Sequence, residues 1–343
     1  MRRRPMRAGA GPRNLITDVP GLKVGQAADD RSRSGVTVIL PDERAVCAVD
    51  ARGGAPGTRE TDALVAENLV EAVDAVVLSG GSVYGLAAAD GVTAWLGRRG
   101  RGYGIARGAG VPVSPVVPAA ILYDLANGGN KDWGLEPPYR ALGLHAIESA
   151  GHHFELGSTG AGAGAMAGQW KGGTGSASVV TEDGFTVGAL VAVNSFGSVT
   201  VPSSRAFWAA PFELDGEFGG VSIGDARAAP EDWGPAKRNP AAGENTTIAC
   251  VATDAILTPA QAKRLAIMAQ DGLARAIRPA HAPFDGDVVF ALATGRRPLP
   301  TEGADFTLTR LGALAADTLA RAIARGVYEA TAWPGADASC WRG

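Results

Sequence analysis

Apolar residues fall along the chain in short runs set apart by glycine and turn-forming residues, and two stretches show helical spacing instead. Val36 to Leu40, Ala45 to Val49, Ala75 to Leu78, Val187 to Val193, Thr247 to Ala252 and Val288 to Leu292 have the length and β-branched content of buried strands. Thr258 supplies an N-cap and Pro259 a first helical residue, after which Leu265, Met268, Ala269, Leu273, Ala276 and Ile277 share one face. A second helix near the C-terminus carries Leu311, Leu314, Ala315, Thr318, Leu319, Ala322 and Ile323. Strands interleaved with helices predict an α/β chain.

Glycine interrupts this pattern in clusters: Gly53-Gly54, Gly80-Gly81, Gly157 to Gly168, and Gly172-Gly173 with Gly175. Glycine admits positive φ and lets backbone approach backbone or ligand, so the clusters predict pocket walls or strand ends packed closely on one another. From Asp215 to Ala242 the chain is rich in Gly, Pro and acidic residues and predicts a loop or tether. The first 14 residues lack an apolar pattern and are expected to be disordered.

The 343 residues are 46% hydrophobic and 20% charged, with a net charge of -3, which suits one large or two ordinary globular domains. No Lys/Arg run beyond the first seven residues offers a nucleic-acid surface. Those seven are not followed by the apolar segment of a secretory signal, and no run of 18 apolar residues is present to span a bilayer. Cys47, Cys250 and Cys340 are odd in number and far apart, which points to a reducing cytoplasm and gives no metal spacing. His145, His152, His153 and His281 make no zinc motif either, so no metal or cofactor is expected.

Three motifs of other chemistries fail on inspection. The alternating glycines from Gly160 to Gly168 lack the preceding apolar strand and the following acidic residue of a dinucleotide site. Lys171 is followed by glycine rather than the Ser or Thr of a P-loop, and Tyr84 stands where a nucleophile elbow around Ser82 needs glycine.

What remains is the junction in Gly243-Glu-Asn-Thr-Thr-Ile-Ala-Cys-Val251, where a turn-forming stretch enters a β-branched strand across the Asn245–Thr246 bond. A threonine hydroxyl is a weak nucleophile until a base sits beside it, and an N-terminal threonine carries its own in the α-amine. With a pKa of roughly 7.7–8.0, that amine is partly neutral at physiological pH. Breaking one bond would create such a catalyst, although the same residues also suit an ordinary loop entering a strand. Lysine is scarce, and Lys171 in a glycine-rich segment could stabilise an oxyanion, hold a neighbouring amine neutral, or simply be solvated. Asn194 ends a strand, where its amide could serve an oxyanion or cap a turn. Asp285 and Asp287 flank Gly286 just before a buried strand and could orient an amine, though Asp-Gly is also a common turn.

Seven segments together resemble the P1 family of peptidases, which contains the L-aminopeptidase/D-esterases and the nylon-oligomer hydrolases. They are Asp18 to Gly25, Asp50 to Gly57, Ser79 to Leu86, Val117 to Asp124, Lys171 to Gly175, Asn245 to Ile248 and Phe284 to Asp287, and they keep the family's order over residues 15 to 295. The resemblance implies an αββα sandwich like that of ornithine acetyltransferase. It also implies a single hydrolase domain that cuts itself into chains 1–245 and 246–343 and assembles as a homo-oligomer, with a small amide or peptide as substrate. By the same resemblance Thr246 matches the nucleophile and Asn245 the residue left at the end of the large chain. Tyr84, Lys171 and Asn194 match residues lining the reactive centre, and Asp285 and Asp287 match an acidic pair. Threonine rather than serine at 246, and Ser82 where the aminopeptidase members are expected to carry an acid, depart from those members. An acyltransferase of the ornithine acetyltransferase type and an unprocessed binding protein are the alternatives on the same fold.

Overall fold

The computed structural model describes residues 8–104, 110–228, 230–237, 245–335 and 338–343. In chain order its elements are β1 (Ala8–Gly9), β2 (Leu22–Asp29), β3 (Ser34–Pro41), β4 (Ala45–Ala51), β5 (Gly57–Arg59), β6 (Ala72–Val73), β7 (Val76–Ser79), α1 (Ala88–Arg98), β8 (Ala119–Ile121) and α2 (Tyr139–Glu148). There follow β9 (Met166–Ala167), β10 (Trp170–Lys171), β11 (Thr174–Thr181), β12 (Thr186–Asn194), β13 (Thr246–Ala255), α3 (Pro259–Ala269), α4 (Asp271–Ala276), β14 (Val288–Arg297) and α5 (Ala304–Tyr328).

Alternation along β13 shows how the layers form. Ala249 and Val251 point into a core shared with Leu265, Leu273, Leu319 and Ile323 of α3, α4 and α5. Ile248, Cys250 and Ala252 point the other way, against Val24, Ile39 and Leu78 of a second sheet. The strand is therefore buried on both faces, which is why its sequence reads as a continuous apolar run. The first sheet has the order β1-β11-β12-β13-β14-β4-β6 and the second β2-β3-β7-β8-β5. The outer face of the second sheet, with Val36, Val38 and Val77, packs on Val92 and Leu96 of α1 and on Leu142 and Ile147 of α2. Helices, sheet, sheet and helices make the αββα sandwich.

All six expected strands are present, and the C-terminal helix is α5. The helix expected from Thr258 is capped as anticipated, Gln261 N donating to Thr258 Oγ1 at 3.3 Å, but it consists of two helices, α3 and α4. They meet at Gln270, whose side-chain amide donates to the Asp50 carbonyl at 2.7 Å. Disorder over residues 1–14 does not extend to 8–14: β1 pairs with β11, and the Asn14 side chain bonds Ser178 N and Arg321. Residues 1–7 lie outside the described residues. The described residues of 215–237 carry neither helix nor strand, but Phe218 anchors the segment edge-on to Phe207; 229 and 238–242 lie outside the described residues.

The glycine clusters serve close packing more than they line a cavity. A Cβ on Gly175 would stand 1.9 Å from Ala322 O, so α5 lies directly against the backbone of β11. Among the described residues, no helix is long and apolar enough to cross a membrane.

Candidate active site

Strands β13 and β14 run parallel, so they begin side by side, while β12 runs antiparallel to β13 and ends at the same edge. That topology brings together residues far apart in sequence. Asn194, the last residue of β12, is the ladder partner of Thr246, the first of β13. Asn245 pairs in parallel with Asp285 just before β14. Asn194, Asn245, Thr246, Asp285 and Asp287 are all buried.

The Asn245–Thr246 bond sits inside this group. Thr246 Oγ1 donates to the Asn245 carbonyl oxygen, and Gly286 N donates to the same oxygen at 3.0 Å. Glycine is needed at 286, because a Cβ there would stand 2.7 Å from Thr246 Oγ1 and 2.8 Å from Ala55 O. Both polar atoms of the Asn245 side chain are buried and have no hydrogen-bond partner among the described residues.

The two carboxyls differ in environment. Asp287 Oδ1 accepts from Thr247 N at 2.9 Å, and its Oδ2 accepts from His281 N at 3.0 Å and lies 2.9 Å from His281 Nδ1. Asp285 Oδ2 accepts from Ala282 N at 3.1 Å, while its Oδ1 is buried with no hydrogen-bond partner among the described residues. Burial, and then the charge of Asp287, pushes the Asp285 carboxyl up to about 7. The segment Arg52 to Ala55 clamps this acidic loop, with Arg52 N donating to Asp287 O at 3.0 Å and Ala55 N to Asp285 O at 2.8 Å. A Cβ on Gly53 would collide with that backbone at 2.3 Å, which accounts for one of the glycine clusters.

Beside Asn194 a cavity of about 160 Å³ opens, lined by Tyr123, Asp124, Asn127, Met166, Asn194 and Lys237 among others. Asn194 is held in place through both ends of its amide. Its Oδ1 accepts from Met166 N and its Nδ2 donates to Tyr123 O, each at 2.9 Å. Asp124 accepts from Ser34 Oγ and from Gly81 N, both at 2.7 Å, and burial pushes its carboxyl up to about 6.

Two expected residues, Lys171 and Tyr84, make other contacts, although Lys171 is the ladder partner of Met166, whose N–H donates to Asn194. Lys171 is fully buried, its ammonium directed at the carbonyls of Gly162, Ala165 and Gly172 at 3.4, 3.1 and 2.7 Å and 4.6 Å from the centre of the Trp333 ring. Three carbonyls meet its three N–H groups, so it braces the 162–172 turn. Burial pulls this ammonium down to about 7. Tyr84 is 47% exposed on the turn after β7, edge-on to Trp133 at 5.5 Å, and does not line the cavity. The tyrosine that does is Tyr123. It ends the apolar run of Val117 to Leu122, and that position at a strand exit was the available signal. Lys237, one of only five lysines and nine residues before Thr246, gives no sequence signal because its loop has no periodicity.

Residues 14–340 match the peptidase family S58 model. An uncharacterised aminopeptidase of Mycobacterium tuberculosis is 46% identical, the alignment covering 92% of this chain and 94% of the relative. A 6-aminohexanoate-oligomer endohydrolase of a Kocuria species is 30% identical over 93% of this chain and 87% of its own. Among solved structures, the L-aminopeptidase D-Ala-esterase/amidase of Ochrobactrum anthropi, described as a variant of the Ntn hydrolase fold, superimposes with a TM-score of 0.68 at 23% identity, covering 95% of this chain and 89% of that one. The chain belongs to peptidase family S58, and it is a hydrolase acting on amide or peptide bonds.

Proposed function

We propose that this protein is a self-processing N-terminal-threonine hydrolase of amide bonds. The observation that supports it most is the convergence of Thr246 Oγ1 and Gly286 N on the Asn245 carbonyl oxygen. A hydroxyl lies against the carbonyl it would attack, and a backbone donor stands where negative charge would develop. In the first act Thr246 Oγ adds to the Asn245 carbonyl carbon and gives up its proton. The bond from that carbon to Thr246 N then breaks and the nitrogen takes up a proton, leaving an ester between Asn245 and the Thr246 oxygen. Water cleaves the ester to a carboxylate on Asn245, restoring the hydroxyl and giving chains 1–245 and 246–343.

In the second act the freed Thr246 amine takes the hydroxyl proton as Oγ adds to a substrate amide. The proton passes to the leaving amine when the C–N bond breaks, and water then hydrolyses the acyl-enzyme. Asp285 and Asp287 lie beside the position of the new amine and set its orientation and charge. Small amides or peptides fit the cavity beside Asn194. In this reading the single domain works in the cytoplasm as a homo-oligomer of cleaved protomers.

Intact mass spectrometry under denaturing conditions tests the first act. The wild type should give two chains divided at 245/246, and Thr246→Ala one chain. A single chain in both would sink the proposal and favour an unprocessed binding protein. Product analysis with an added amine acceptor separates hydrolysis from acyl transfer.

A further inference from the structure

With Lys171 enclosed by carbonyls, the question is which cation meets the charge that develops on a substrate carbonyl. Lys237 lines the cavity. Its Nζ lies 3.5 Å from both the Asn194 carbonyl oxygen and Asn194 Oδ1, and Asn194 is the ladder partner of Thr246. Its positive charge also reaches Asp285, on the far side of Thr246 in the ladder. The side chain thus lines the cavity and touches the residue paired with Thr246.

The backbone carrying it is pinned independently of the bond to be cut. Gln169 N donates to Pro235 O at 2.7 Å, the Gln169 side-chain amide donates to Ala236 O at 3.3 Å, and Lys237 N donates to Phe196 O at 2.9 Å. None of these bonds involves residue 245 or 246, so breaking the scissile bond leaves 235–237 docked on the β12 exit and the β9–β10 hairpin.

We propose that Lys237 is a catalytic residue of the mature enzyme, its ammonium stabilising the oxyanion that forms on the scissile carbonyl of the substrate. This rests on the self-processing hydrolase reading. When Thr246 Oγ adds to the carbonyl carbon, the π electrons move to the carbonyl oxygen and the hydroxyl proton moves to the Thr246 amine. Lys237 meets the new negative charge without transferring a proton. On collapse the oxygen regains its double bond, and the leaving group departs as an amine, or as an alcohol from an ester. The self-cutting act uses a different donor, Gly286 N on Asn245 O, so the two acts separate on this one residue.

The experiment compares wild type, Lys237→Met and Lys237→Arg, each first weighed under denaturing conditions and then assayed with p-nitrophenyl acetate. Lys237→Met should cut itself to the wild-type extent, lose about 100-fold in kcat and keep KM within about threefold, the magnitude expected on removing one oxyanion donor. Lys237→Arg should recover part of kcat. A kcat within about threefold of wild type, or a loss confined to KM, overturns the assignment. So does a folded Lys237→Met protein that no longer cuts. Should the Met variant fail to fold, Lys237→Gln carries the same readings. A wild type that stays one chain and turns nothing over refutes the parent reading instead, and the mass spectrum shows that before any assay.

Discussion

Gly286 donates its backbone N–H to the carbonyl oxygen of Asn245 at 3.0 Å, on the oxygen that Thr246 Oγ1 also reaches. A side chain at 286 would be only 2.7 Å from that hydroxyl. Gly286→Ala should therefore keep the fold and displace the hydroxyl. Self-cleavage should slow about 100-fold, the cost of a misplacement near 1 Å. The fraction of cut chain against time on a denaturing gel measures it, and cutting at the wild-type rate would show that the Thr246 hydroxyl is not held by this contact.

Asp285 should make stability fall with pH over a defined window. The folded chain keeps the Asp285 proton up to about pH 7, whereas the unfolded chain loses it near the ordinary 3.8. Between those values the native state binds more protons, so the stability this group contributes is full below about pH 4 and lost as pH rises to about 7. Asp285→Asn is neutral throughout. In a Thr246→Ala background, which keeps one chain, it should match its parent near pH 4 and gain on it toward pH 7 by up to about 1.4 kcal/mol per unit. Urea unfolding at several pH values checks this; a gain that shrinks as pH rises would show that the proton is not held.

The layers were legible where burial is simple. Strands such as β13 and β14, covered on both faces, announce themselves as apolar runs, and α5 shows a helical stripe. Helices α1 and α2 did not, because they cross backbone to backbone. A Cβ on Gly91 would meet Arg140 O at 2.2 Å, and one on Gly143 would meet Ala88 O at 2.1 Å. Glycine that permits this contact also erases the apolar periodicity that reveals a helix. The site divides in the same way. Asn194, Thr246, Asp285 and Asp287 sit at strand ends that a sheet aligns, which is why spacing and turn residues single them out as candidates. The directions of Lys171 and Tyr84 depend on contacts with Gly162, Ala165 and Trp133 that no local pattern encodes.

Lys171 should give the opposite pH behaviour to Asp285. Burial pulls its ammonium down to about 7, so between about pH 7 and its ordinary 10.5 the unfolded chain binds the extra proton. Stability from this group is then full above about 10.5 and lost as pH falls through the window to about 7. Lys171→Met lacks this rise and removes the ammonium from the Gly172 carbonyl, while Gly162 O and Ala165 O keep the backbone donors Ala165 N and Gly172 N; one buried group left unpaired costs about 1–3 kcal/mol. In the one-chain Thr246→Ala background, its deficit against the parent should widen from pH 7 to pH 10. A deficit that narrows would mean the ammonium stays charged in the fold.

The two tyrosines offer a sharper test of where substrate sits. Tyr123 lines the cavity, and its backbone oxygen, not its ring, holds Asn194 Nδ2. Tyr123→Phe therefore removes the phenol while leaving Asn194 in place, and any loss of turnover belongs to the hydroxyl. If that hydroxyl donates to the reacting amide, kcat should fall about 100-fold, near the lower end for a positioned acid, while self-cleavage of the precursor is unchanged. Tyr84 is 47% exposed and rests on Trp133 through its ring, so Tyr84→Phe keeps its packing and should leave kcat within about twofold. Measured side by side on one amide, a loss in Tyr84→Phe with none in Tyr123→Phe would move the substrate from the cavity beside Asn194 to the surface around Trp133.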